Sequence, residues 1–156
     1  AHNLGWELIT MGVTASLSMD TTIQSGSNNA MGLSYSQDLS GAAVNVGLGR
    51  SQIGTATQTS IGAGVTMGGI NAQIAQSEDD NGTAADVEET AVSLSYSLSA
   101  LTGTVFQKDI VTVGSADISY TGFGVSYDLG GATAKVGVMN DDADRQWIDA
   151  GISFSF

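Results

Sequence analysis

The stretch that decides the fold is residues 122–156, GFGVSYDLGGATAKVGVMNDDADRQWIDAGISFSF. Apolar side chains recur there at every second place: Phe123, Val125 and Tyr127; Ala134, Val136 and Val138; then Ile148, Ala150, Ile152, Phe154 and Phe156. A period of two means extended strands with one apolar face. The places between hold Gly124, Ser126, Lys135, Gly137, Asp149, Gly151, Ser153 and Ser155, so the opposite face is small or polar. A Gly-Gly turn at 130–131 and an acidic loop at 140–145 separate three such strands, and the last ends on an aromatic residue, Phe156.

The same unit recurs upstream. Leu39, Met67, Leu98, Leu129 and Phe156 mark successive copies at intervals of 28, 31, 31 and 27 residues. A unit of about 30 residues is two strands with a turn and a loop, a repeated hairpin. Alternation predicts about ten strands, near 6–19, 30–37, 42–51, 59–67, 70–76, 87–98, 102–109, 116–128, 132–139 and 146–156. In the first, Ile9, Met11, Val13, Ala15, Leu17 and Met19 share a face. Val105 and Phe106 are adjacent, which leaves the facing of the seventh strand open. Ile118 and Tyr120 are out of step with Phe123 and Val125, which predicts a bulge near Thr121 and Gly122. Short turns at 38–41, 68–69, 98–101 and 128–131 alternate with longer polar loops at 20–29, 52–58, 77–87, 110–116 and 140–145. Both chain ends are expected at the short-turn end.

Composition says where such a sheet can be stable. The chain has 21 glycines, no proline or cysteine, only 6% aromatic residues and a mean hydropathy of +0.11. Large core-filling side chains are too few for a sandwich in water, whereas acyl chains can solvate one apolar sheet face directly. No apolar run approaches the roughly 20 residues of a membrane-spanning helix, but barrel strands need only about 9–11. These features predict an all-β, antiparallel transmembrane β-barrel in the bacterial outer membrane. Residues 1–156 form one barrel domain or the C-terminal ten-strand arc of one, with short turns periplasmic and long loops external. A start at Ala1, with no basic and apolar leader, reads as a chain matured after export. Tyr35, Tyr96, Tyr127 and Phe156 fall beside the short-turn end as an aromatic girdle would, and Trp147 with Tyr120 is assigned to the opposite girdle. A secreted soluble repeat sheet would need a second apolar layer, and the chain supplies none.

The chemistry of the side chains narrows function. A formal charge of −12 disfavours nucleic acid and anionic phospholipid surfaces and favours cations. His2 is the single histidine and there is no cysteine, so nucleophile–histidine catalysis would have to recruit that one terminal residue, a zinc site fails for the same reason, and no enzyme is expected. GLGR and the Gly-Gly turns lack the lysine and strand-to-helix context of a phosphate loop. The acidic loops SEDDNGTAADVEE and NDDAD do not have EF-hand spacing and read as solvated external surface. If they hold a metal it is Ca²⁺, on Asp79, Asp80, Asp141 or Asp142, bridging to lipopolysaccharide. Lys135, Asp149, Glu7, Asn45 and Gln73 are the expected pore-lining residues. A hairpin centred near Asp142 puts Lys135 opposite Asp149, as a wall ion pair of roughly 0.2–1 kcal/mol or as a selectivity element. The inward places are mostly Gly and Ser, which would underfill a narrow closed barrel.

The run GFGVSYDLGGATAKVGV, the acidic loop after it and the closing IDAGISFSF resemble the end of general diffusion porins from alphaproteobacteria of the Rhodobacter type. The resemblance implies a barrel of about 16 strands, usually trimeric, whose C-terminal part this chain supplies. Either a companion chain or a further segment then completes the wall, or the chain is a shorter relative, and Phe156 engages the barrel-assembly machinery. Two departures are the lack of room for the first strands and long inward-folded loop of such porins, and the lack of an arginine cluster facing the acids. The implied function is passive diffusion of small hydrophilic solutes and ions through a water-filled channel, with a mild cation preference and no cofactor. The alternative is a small non-conducting outer-membrane barrel, an adhesin or assembly component.

Overall fold

The computed structural model describes residues 3–20, 28–82 and 85–154. It is all-β: β1 (Asn3–Thr10), β2 (Val13–Asp20), β3 (Asn29–Leu39), β4 (Ala42–Ile53), β5 (Ala56–Met67), β6 (Ile70–Asp80), β7 (Val87–Leu98), β8 (Leu101–Thr112), β9 (Ile118–Asp128), β10 (Ala132–Asp141) and β11 (Gln146–Phe154). The strands lie in one sheet in sequence order, and each pairs antiparallel with the next.

The register turns the sequence period into two faces, because directly opposed residues point the same way. Leu48 stands between Leu33 and Ile61, Leu94 between Ala72 and Val105, and Val136 between Val125 and Ala150. That face is apolar through the short-turn half and centre of the sheet. On the other face Gly47 stands between Ser34 and Gly62, and Ser93 between Gln73 and Phe106. Among the described residues no hydrophobic side chain is buried; Leu48, Val136 and Ile152 are 55%, 51% and 60% exposed. Burying such a side chain contributes about 1.5–3 kcal/mol, and a lone sheet in water forgoes that. Acyl chains supply the missing apolar surroundings.

Two-residue turns set the twist. Met11–Gly12, Ser40–Gly41 and Gly68–Gly69 have positive φ at both positions, the hairpin geometry whose twist matches the flanking strands. At Gly69 the reason for glycine is double: φ is +84°, and a Cβ would stand 2.5 Å from the Ser97 carbonyl oxygen. The Tyr96 ring packs 3.7 Å from that place, and Ser97 N donates to Gly69 O at 2.8 Å. Gly12 repeats the arrangement with Tyr35 and Ser36, whose N donates to Gly12 O at 2.8 Å. The Tyr-Ser dipeptides at 35–36 and 96–97 thus tie the β1–β2 and β5–β6 hairpins to the strand that follows each.

Several expectations are corrected. There are eleven strands, not ten, because the expected 6–19 strand turns at Met11–Gly12. The loop expected at 52–58 is the tight turn 54–55, with Ile53 paired to Ala56. No bulge occurs near Thr121 and Gly122: β8, β9 and β10 pair in unbroken register, and Ile118 and Tyr120 simply face the polar side. With an odd strand count the ends separate. Asn3 pairs with Asp20 beside the long-loop end, whereas Phe154 pairs with Ala132 beside a short turn. β1 and β11 therefore run in the same direction, and among the described residues they make no contact with each other.

Candidate functional site

The polar face is concave. A groove of about 810 Å³ runs across β2 to β8, lined by Ser16, Ser34, Asn45, Gly62, Gln73 and Lys108 among others. Its wall is smooth because polar side chains lie across glycines on neighbouring strands. Ser16 Oγ, Ser60 Oγ and Asn45 Oδ1 sit 2.9, 3.0 and 2.8 Å from where a Cβ would stand on Gly32, Gly49 and Gly64. Such side chains line the wall without filling the space in front of it, and each keeps a polar atom toward water.

Glu7, Asn45, Gln73, Lys135 and Asp149 all share this concave face by register. Lys135 and Asp149 are not directly opposite, however. Lys135 faces Gly151 and Asp149 faces Gly137, because the β10–β11 turn is centred near residue 143 instead of 142. They are diagonal neighbours and form no ion pair. The wall ion pair lies elsewhere, Lys108 Nζ to Glu89 Oε2 at 3.0 Å. Both side chains are more than a third exposed, so the pair contributes at most about 1 kcal/mol. It was hidden by the adjacency of Val105 and Phe106; the structure turns Val105 outward and lays Phe106 across Gly122 on the concave face.

The acidic loop after β10 is built around its own first residue. Asp141, 7% exposed, accepts hydrogen bonds from Ala143 N at 3.1 Å, Arg145 N at 2.8 Å and Arg145 Nε at 2.7 Å. Arg145 Nη2 approaches the same carboxylate at 2.6 Å. The hydrogen bond and then the charge of Asp141 raise the Arg145 guanidinium above its ordinary value. Asp142 N donates to Ser119 O at 3.1 Å, which fastens the loop to β9. Asp141 is thus a loop cap in an ion pair. Asp79 and Asp80 end β6, four strands from β10, and Asp80 accepts from Gly82 N at 2.8 Å. The four aspartates weighed for calcium do not converge, and no group of three or more metal-ligating side chains occurs among the described residues.

The aromatic residues divide between the faces. Tyr35, Tyr96 and Tyr127 lie on the apolar face near the short turns, 36%, 51% and 49% exposed, with Phe154 on the same face. Phe156 lies outside the described residues. Trp147 does not belong with a lipid-facing girdle: it opposes Met139 and shares the concave face with Asp149. Its ring centroid is 6.2 Å from that of Tyr120, and the Arg145 guanidinium lies 5.7 Å from it. The phase could have shown this, since Trp147 is out of step with Ile148, Ala150 and Ile152.

Comparison with known proteins agrees with this geometry. The family described as Gram-negative porin matches residues 5–146. A porin structure refined at 1.8 Å is 20% identical with a TM-score of 0.73, covering 97% of this chain and 60% of its own. A variant of the Rh. blastica porin is 18% identical with a TM-score of 0.77, covering 99% and 55%. A structure described for the asymmetric conductivity of engineered proteins gives 18%, 0.77, 99% and 55%. This chain therefore spans a little over half the length of the porins it matches. No curated protein matches it. The alternating faces, the eleven-stranded antiparallel sheet and the family match converge: the chain belongs to the Gram-negative porin family, β-barrel proteins of the bacterial outer membrane that are not enzymes.

Proposed function

We propose that this chain forms an eleven-strand arc of the wall of a water-filled channel that passes small hydrophilic solutes and ions down their gradients. The observation that carries this is the division of the sheet into an exposed apolar outer face and a concave face of glycine, serine and charged residues, with no buried hydrophobic side chain among the described residues. An inner face so poorly filled suits a wide lumen and not a small packed barrel. β1 and β11 run the same way, so an antiparallel wall closes only with an odd number of further strands. Roughly five, giving about 16, satisfies that parity. Whatever supplies them, another segment or a companion chain, also bears on whether the assembly is a trimer.

The concave face favours cations. Glu7, Asp38, Asp79, Glu89, Asp128, Asp141 and Asp149 share it against Lys108 and Lys135. Glu89 and Asp141 are matched by Lys108 and Arg145, which leaves an acidic excess. Charges on a pore wall bias which ions enter, and Lys135 and Asp149, each unpaired by the other, set that bias at the middle of β10 and β11. Tyr35, Tyr96 and Tyr127 anchor the short-turn rim at the lipid interface, and Phe156 is the handle for barrel assembly. A calcium role falls to Asp80, on the outer side of β6, with lipopolysaccharide phosphates completing the oxygens, since Ca²⁺ takes about 6–8 of them. Calorimetric titration of EDTA-washed protein with and without lipopolysaccharide tests it: heat is expected only with the lipid, and none in either case removes the idea. Liposome swelling tests the channel. Vesicles carrying the protein swell in isotonic small sugars and amino acids; vesicles that stay impermeable to them contradict it.

A further inference from the structure

We propose that the concave face carries a saccharide-binding strip near the long-loop end, built on Phe106, Met139 and Trp147; the proposal rests on the channel reading above. These residues form one line. Phe106 opposes Gly122, Gly122 opposes Met139, and Met139 opposes Trp147, so the line crosses β8 to β11 without a break. Four strands at about 4.8 Å spacing make it roughly 14 Å long, a span suited to an oligosaccharide more than to a single ring.

The line stands out against its surroundings. Toward the short turns the concave face is mostly Gly, Ser, Ala and Thr with scattered charged and amide residues, and aromatic side chains that face a wet lumen gain nothing from lipid. The Phe106 ring lies over Gly122 and occupies the place a Cβ would take there. Trp147 keeps 42% of its surface exposed while Tyr120 holds its ring at a tilt of 53°. Flat apolar faces held rigidly by neighbours are what the C–H faces of a sugar ring stack on.

The ends of the strip decide the ligand class. Beside Phe106, Lys108 is paired with Glu89 at 3.0 Å; beside Trp147, Arg145 is paired with Asp141 at 2.6 Å. Asp141 is buried behind Arg145, but Asp149 shares the face two places from Trp147, so each end presents donors and acceptors together. An ionic aromatic solute would find its own charge matched at one partner and opposed at the other, whereas neutral hydroxyl groups can use both. The Asp141 cap and the Asp142–Ser119 hydrogen bond fix Arg145 before any ligand arrives, so little ordering remains.

Maltohexaose, a neutral linear oligosaccharide, is the probe. It is titrated against tryptophan fluorescence of the solubilised protein and against ionic current of the same protein in a planar bilayer. Saturable fluorescence change and transient current occlusions are expected at the same concentration. Trp147→Ala, which also removes the fluorescent reporter, is expected to weaken the current occlusion roughly tenfold and Trp147→Phe far less, whereas Trp6→Phe on the outer face leaves both signals in place. Heat-modifiable gel mobility of each variant confirms that it folds. A protein that conducts while fluorescence and current ignore maltohexaose, or a Trp147→Ala variant that binds like the parent, overturns the strip and leaves the channel standing. A protein that binds the sugar through Trp147 and conducts nothing keeps the strip and overturns the channel. Trp147 shielded from acrylamide in the sugar-free assembly would mean that another segment covers the strip, and this too overturns it.

Discussion

Exchanging Lys135 and Val136 isolates the role of the two faces, because the double variant Lys135→Val with Val136→Lys changes neither composition nor charge. Val136 lies in the middle of the apolar run of β10, between Val125 and Ala150, and is 51% exposed. Were the sheet's outer face in water, a substitution at so exposed a site would change stability by about 0.5 kcal/mol or less. In a bilayer a lysine at mid-depth on the lipid face costs about 2–4 kcal/mol, a shift in the folding equilibrium of roughly 30- to 900-fold. Lys135→Val on the wet face offsets little of that. Equilibrium urea unfolding in lipid vesicles, followed by gel mobility, reads the difference directly. A swap variant within about 0.5 kcal/mol of the parent would refute the assignment of this face to lipid.

Other perturbations separate the remaining claims. Lys135→Gln raises the cation preference of the reversal potential and Asp149→Asn lowers it, both more at low salt, where charges are less screened; unchanged potentials remove these residues from selectivity. Gly69→Ala places a Cβ against the Ser97 carbonyl at a φ of +84°. The strained backbone alone costs about 1–2 kcal/mol, so the urea midpoint falls, and an unaltered midpoint contradicts the Tyr96–Gly69 account. Asp141→Ala removes the acceptor for Ala143 N and Arg145 N. Amide exchange at those two positions then accelerates roughly tenfold, and equal protection in both proteins would show that the loop does not depend on its cap.

The faces of most strands were legible because a period of two survives in sequence wherever one side meets an apolar medium. Legibility failed where other constraints imitate or mask that period. Ile9, Met11 and Val13 look like one continuous face, yet Trp6 and Leu8 hold the outer face of β1 and the phase flips across Met11–Gly12. Gly12 was the available signal. The strand ends around 52–58 were lost because outward residues near the long loops, such as Gln52 and Thr57, are polar. Trp147 and Tyr120 look like girdle aromatics at the long-loop end, although their phase places them with Asp149 and Lys108. The Asp141 cap was illegible for a different reason: a run of aspartates does not disclose which carboxylate folds back on Arg145 and which stays in solvent.

The most direct test of the channel is single-molecule conductance of the assembled protein in a planar bilayer under a salt gradient. Stepwise, long-lived increments with a reversal potential displaced toward the cation equilibrium value are predicted. A folded, inserted protein that gives no increments, or one whose reversal potential marks anions as the preferred species, would contradict the account.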